Sequence, residues 1–192
     1  MMMQSIVVFG VGDGGGQVLN TVINAVEAAG LPRLRTVAVD THSLSLTNSL
    51  AARELLLGNG LGAGGDPARG RELAADARHE IEGLMVDAQT VVIIAPLGGG
   101  TGGGAAPVIA EVANTLGKAV IGVVSKPLAF EGSRRLQIAD QSVVALRPLC
   151  DPLLVADNVG IAPLLGTQTP AMRGLFKLTN HVMAWRLLAH LF

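Results

Sequence analysis

Short, almost purely apolar runs recur along the chain, each followed by glycine-rich or polar punctuation and then a helical stretch. Ile6-Val7-Val8-Phe9 is the first and leads into Gly10–Gly16. A helical pattern from Gln17 to Ala28 follows and stops at Gly30-Leu31-Pro32. Thr36–Val39 predicts a second strand ending at Asp40. Residues 43–57 are ambiguous between a helix and a short strand at Leu55–Leu57. Gly58–Gly65 is a loop. Asp66-Pro67 reads as the N-cap and first-turn pair of a helix reaching about Glu82. Val91–Ala95 predicts a strand, 98–104 a loop, and Ala105–Leu116 a helix opening around Pro107. A strand at 119–124, a helix at 134–146 and a strand at 153–155 come next. Thr169-Pro170 opens a closing helix over about 170–192. Runs with no polar alternation suit strands buried on both faces. Strands alternating with helices predict an α/β fold: a doubly wound, mostly parallel sheet with helices on both faces, in one domain over 1–192.

Composition supports that expectation. The 192 residues are 49% hydrophobic and only 15% charged, enough for a well-covered interior. Aromatics are 3%, so Val, Leu, Ile and Ala must fill the core. A formal net charge of -1 gives no general pull toward nucleic acid. No run is long and charge-free enough to predict a transmembrane segment, and the N-terminus lacks the basic region of a signal peptide. A single cysteine, Cys150, excludes an intrachain disulfide and is consistent with a cytoplasmic protein.

The chemistry concentrates in the glycine stretches. Gly98–Gly104, interrupted only by Thr101, sits between an apolar strand and a helix. Glycine lets backbone N–H groups turn toward a ligand with no Cβ in the way. A helix N-terminus behind them favours an anion, so a phosphate is the expected occupant. Thr101 adds one hydroxyl. Gly10-x-Gly12-x-x-Gly15 after the first strand also fits a dinucleotide site, with Asp40 where a ribose-binding acid would stand, or a tight turn with no ligand. No Gly-Lys-Ser/Thr occurs, so the P-loop pattern is absent. Loops at the C-terminal ends of parallel strands share one edge. Those at 10–16, 58–65 and 98–104 can therefore converge, and together they suit a triphosphate held by backbone amides.

Gly98-Gly99-Gly100-Thr101-Gly102-Gly103-Gly104-Ala105-Ala106-Pro107 closely resembles the signature loop of the tubulin/FtsZ family, and the flanks resemble its bacterial FtsZ branch. Gly10–Gly16 looks like that family's first nucleotide loop, and Gly60–Gly64 with Pro67, Gly70 and Arg71 like its third. Lys126–Gly132 with Arg134-Arg135 looks like its ribose segment. Phe176–Met183 resembles the start of its long central helix. The resemblance implies GTP or GDP as ligand, with Mg²⁺ as a candidate companion. It puts Gly14, Gly15, Gly16, Gly100, Thr101 and Gly102 at the phosphates, with Gly12, Asp13, Gly99 and Gly103 among the other nucleotide-binding residues of the same loops. Glu131 and Arg135 then fall at the ribose and nearby phosphate, Asn158 in the loop before the central helix, and Gln17, Phe176, Asn180 and His181 around the base.

Several positions depart from the family pattern. Asp13 stands where the family has glycine, and a carboxylate beside phosphates repels them unless a cation intervenes; the alternative is that Asp13 faces solvent. Gln17 replaces an asparagine, and Gly103 a threonine or serine. Asp40-Thr41-His42 replaces Asn-Thr-Asp. His181 replaces the aspartate that reads guanine, or Asn180 does if the alignment slips by one. Either change weakens base discrimination. On the closing helix, Arg173, Lys177, Asn180 and His181 share a face toward the pocket, while Leu175, Leu178, Val182 and Met183 bury. Trp185, Leu187, Leu188, Leu191 and Phe192 either fold onto the sheet or stay uncovered. The chain stops at Phe192, so the family's activation domain and hydrolysis loop are expected to be absent. Hydrolysis by the chain alone is then slow or lacking. The expected function is FtsZ-like GTP binding connected with cell division or cytoskeletal filaments, by self-assembly or co-assembly with a full-length FtsZ-like protein. The alternatives are a GTPase completed by a partner, a nucleotide-free scaffold or filament cap, and, more remotely, a dinucleotide-dependent dehydrogenase.

Overall fold

The computed structural model describes residues 6–156 and 172–191. Its strands are β1 (Ile6–Val11), β2 (Arg35–Asp40), β3 (Arg53–Leu56), β4 (Thr90–Pro96), β5 (Ala119–Ser125) and β6 (Leu153–Ala156). Its helices are α1 (Gly12–Ala28), α2 (Ser43–Leu46), α3 (Pro67–Asp76), α4 (Arg78–Met85), α5 (Gly100–Thr115), α6 (Ser133–Leu146) and α7 (Met172–Leu191). The strands form one six-stranded sheet in the order β3-β2-β1-β4-β5-β6, every neighbouring pair parallel. Strand order reverses between β1 and β4, the switch point where open α/β sheets take ligands.

Successive strand residues point to opposite faces, which explains why the runs are apolar throughout. Val7, Phe9, Val37, Val91 and Ile93 join Leu73 of α3, Ile81 of α4, Ile109 of α5 and Leu146 of α6. Val8, Val92, Ile94 and Val123 meet Val18, Leu19 and Val22 of α1 and Met183 and Leu187 of α7 on the other face. Leu188 and Leu191 pack against this second cluster, so α7 folds onto the sheet. Trp185 alone among its described large apolar side chains is left 76% exposed. Phe192 and the side chains of Arg173, Leu175, Lys177 and Leu178 lie outside the described set.

The structure corrects several boundaries. Helix α1 begins at Gly12, not Gln17, and α5 at Gly100, not Ala105. The glycine runs are thus largely first helical turns rather than loops. Packing explains this at α5, whose first turns press against α3. A Cβ on Gly100 would lie 2.8 Å from the Ala63 Cβ, and one on Gly104 would strike Pro67 O and sit 2.6 Å from Arg71 N. Pro107 therefore falls inside α5 and leaves Gly103 O without its helical N–H partner. The Ser142 hydroxyl on α6 lies within reach of that oxygen, at 3.2 Å, and of Ile138 O at 2.8 Å. The expected 67–82 helix breaks at Ala77, whose backbone is non-helical; nothing in the sequence marks the break. Residues 43–57 resolve into the one-turn α2 and the edge strand β3. Asp66 does cap α3, its side chain accepting from Ala68 N at 2.9 Å.

Cys150 is buried against Gly122, where a Cβ would lie 3.1 Å from the thiol sulfur. Burial pushes the thiol up to about 11, so it stays protonated at mildly alkaline pH. Iodoacetamide should label the folded chain roughly a hundredfold more slowly than the denatured chain, since only the thiolate reacts. Equal rates by mass spectrometry would show the site is open.

Candidate functional site

Because all six strands run parallel, their C-terminal ends meet one edge, where Val11, Asp40, Pro96 and Ser125 line a cleft of about 940 Å³. The first turns of α1 and α5 form its floor. Gly64 and Gly65, before α3, form one wall. The segment after β5 with α6, and Thr179 and Asn180 of α7, form the other. The volume suits a ligand of nucleotide size.

Two helices aim their N-termini into this space. The N-cap residues are Val11 for α1 and Gly99 for α5, and neither helix has a side-chain cap. Unpaired first-turn N–H groups with aligned dipoles behind them form an anion seat. The two turns nearly touch. Gly12 has φ +79°, and a Cβ there would lie 3.3 Å from Gly102 N. A Cβ on Gly102 would strike Pro96 O. Only glycine keeps this cradle open. Thr101 is tied across it, its Oγ1 lying 2.7 Å from Thr41 Oγ1 and 3.5 Å from Asp40 Oδ1.

Charges divide the cleft. Asp13 of α1 and Asp40 of β2 line it from one half of the sheet, and Lys126, Glu131, Arg134 and Arg135, after β5 and on α6, from the other. Asp40 is 4% exposed and accepts from His42 N at 2.9 Å. Burial raises its pKa above the ordinary value. The backbone N–H groups of His42 and Thr41 pull it back, and the charge of Asp13 pushes it up again. Asp13 is exposed and accepts from Gln17 Nε2 at 2.9 Å. Glu131 holds its own loop: Oε1 accepts from Leu128 N at 2.8 Å, and Oε2 pairs with Arg135 at 2.8 Å. Lys126 pairs with Asp140 at 2.7 Å. Among the described residues no three His, Cys, Asp or Glu side chains gather as a dedicated metal cage. The hard oxygen donors of Asp13 and Asp40 fit a Mg²⁺ that takes its other ligands from phosphates and water.

Of the residues singled out from sequence, Gly12, Asp13, Gly14, Gln17, Gly99, Gly100, Thr101, Gly102, Glu131, Arg135 and Asn180 line the cleft. Gly15 does not; it backs the sheet, where a Cβ would meet Ile94 O at 2.8 Å. Gly16 also stands outside the lining. Gly103 faces Ser142 on α6. His181, one residue round the helix from Asn180, is exposed and does not line the cleft. Asn158 lies outside the described residues, as does the side chain of Phe176. Ser45, Ser125, Arg134, Ile138 and Thr179 also line the cleft without having been singled out as ligands. Ser125 had a legible signal, a polar residue closing an apolar strand just as Asp40 does.

Residues 5–165 match the model of the Tubulin/FtsZ family, GTPase domain. A cell division protein FtsZ of Coxiella burnetii is 37% identical over 180 residues, which are 92% of this chain and 45% of that protein. The chain spans under half the length of the curated relatives it matches. Among solved structures, an empty FtsZ dimer of M. jannaschii superposes with TM-score 0.85 at 31% identity, covering 94% of this chain and 52% of that one. The GTPγS-bound protofilament of CetZ2 from Haloferax volcanii superposes with TM-score 0.85 at 26% identity, covering 97% and 58%.

Proposed function

Because the chain belongs to the tubulin/FtsZ family, we propose that its cleft binds a guanine nucleotide, GTP or GDP. The phosphates rest on the first-turn N–H groups of α1 and α5, and the ribose lies toward Glu131 and Arg135. The base lies toward Asn180 and Gln17, which line the cleft. One observation carries this reading: two uncapped, glycine-rich helix N-termini meet at the switch point of a parallel sheet. A Mg²⁺ held between the phosphates and Asp13 and Asp40 would neutralise charge there.

Hydrolysis by the chain alone is proposed to be weak or lacking. Attack on a phosphate needs a positioned water and charge stabilisation. Each described carboxylate of the cleft is already engaged: Glu131 with Leu128 N and Arg135, Asp40 with His42 N and Thr101, Asp13 with Gln17. The relatives described as a dimer and a protofilament support a role in cytoskeletal filaments of cell division, by self-assembly or co-assembly with a longer homologue. No helix among the described residues is long and apolar enough to cross a membrane, and the cytoplasm is the proposed setting.

The test is direct. Nucleotide extracted from the purified protein is identified by chromatography, and GTP, GDP and ATP are titrated with Mg²⁺ by calorimetry. Guanine nucleotides should bind, and phosphate release should stay near background until a longer homologue is added. Absence of both bound nucleotide and any thermal shift with GTP would instead favour a nucleotide-free scaffold.

A further inference from the structure

We propose that Asp13 and Asp40 make the phosphate wall of the cleft selective for the divalent-cation complex of the nucleotide over the bare polyanion. The inference rests on the nucleotide-binding reading and adds a condition to it. The cations across the cleft do not offset these two carboxylates. Arg135 is held by Glu131, and Lys126 by Asp140. Arg134 makes no ion pair among the described residues, but it is exposed, so solvent screens its charge.

The two acids differ in weight. Asp40 is buried at the end of β2, and its Oδ1 is fixed by His42 N and within 3.5 Å of the Thr101 hydroxyl. It cannot swing away from an arriving phosphate, and little water reaches it to screen its charge. Asp13 is exposed at the rim, tethered to Gln17, and screened by solvent. A bare phosphate therefore meets attraction from two helix N-termini and repulsion from Asp40, with Asp13 adding less. A cation shared between phosphates and carboxylates turns that repulsion into a bridge.

Calorimetric titration of GDP into nucleotide-stripped protein tests this, with excess Mg²⁺ or with EDTA at one pH and ionic strength. Wild type should bind at least about a hundredfold more weakly in EDTA, a difference that the buried Asp40 carboxylate beside a phosphate supplies with a smaller share from Asp13. Asp40→Asn keeps the Oδ1 acceptor and removes the charge. It should recover about tenfold or more of the EDTA affinity and lose part of the Mg²⁺ affinity. Asp13→Asn should recover roughly threefold, as a screened charge does. Unfolding midpoints without nucleotide check that the variants fold. Should Asp40→Asn fail that check, Asp13→Asn at its exposed position carries the test. Wild-type affinity unchanged within about threefold by EDTA, or no recovery in either variant, overturns the proposal. Absence of GDP binding by wild type and variants even in Mg²⁺ overturns the nucleotide reading itself.

Discussion

Gly104→Ala is expected to destabilise the chain by about 3 kcal/mol or more, against the usual ~1 kcal/mol gain of replacing an exposed helical glycine by alanine. The added methyl would strike Pro67 O and lie 2.6 Å from Arg71 N and 3.0 Å from the Gly70 carbonyl carbon. All three are backbone atoms of α3, so no side chain can rotate aside. Helix α5 is buried over most of its length and cannot retreat from α3 without opening the core beneath Ile109. Relief must come from parting the two helices, which exposes apolar surface and moves the first turn of α5. Gly83→Ala is the control. Gly83 is exposed on α4, with open space where its Cβ would go, and alanine there should stabilise by about 0.5–1 kcal/mol. Urea unfolding of both variants measures the contrast. A Gly104→Ala loss under about 1 kcal/mol would mean the α3–α5 contact is softer than its geometry.

That contact also shows where sequence reading stops. Strands β1, β2, β4 and β5 were legible because each is buried on both faces, so apolar runs announce them without alternation. Strand ends at Asp40 and Pro96, and the parallel topology, then place the glycine stretches on one edge. The glycines themselves were misread as loop because helix propensity argues against them. Tertiary packing overrides propensity where two backbones must touch, and that partner lies some thirty residues away along the chain, as Gly70 and Gly104 do. Pro107 pointed the same wrong way. Proline suits a first turn, yet here its missing N–H falls in the helix interior, near the Ser142 hydroxyl of α6.

Within the cleft, residue type told which groups suit a phosphate, but not which way each faces. Gly15 and Gly103 belong to the right motifs and serve packing. Asn180 and His181 differ by about 100° around a helix, and sequence periodicity could not phase that turn closely enough to choose between them. Asp40 was visible as a strand-ending acid. Its link to Thr101, 61 residues away, was not. That link changes what Thr101 does: its hydroxyl is committed to Thr41 and Asp40 as well as to any ligand.

Gly12→Ala should weaken Mg²⁺–GDP binding at least about a hundredfold, ~2.7 kcal/mol, while lowering stability by only about 1–2 kcal/mol. The stability loss is local. At φ +79° an L-residue with a Cβ is strained, but the position begins α1 and leaves its core face, Val18, Leu19 and Val22, in place. The binding loss is larger because the new methyl would sit 3.3 Å from Gly102 N and 3.7 Å from the Thr101 Cβ, inside the cradle. It would shield one N–H group from a phosphate and push apart the two turns that must grip it together. Gly16→Ala, on the same helix, separates this effect from helix strengthening. Gly16 does not line the cleft, and its Cβ would meet nothing within 4 Å. Its affinity should stay within about threefold of wild type. If Gly12→Ala binds as well as Gly16→Ala in the same titration, α1 contributes no phosphate seat, and a nucleotide must be held by α5 alone.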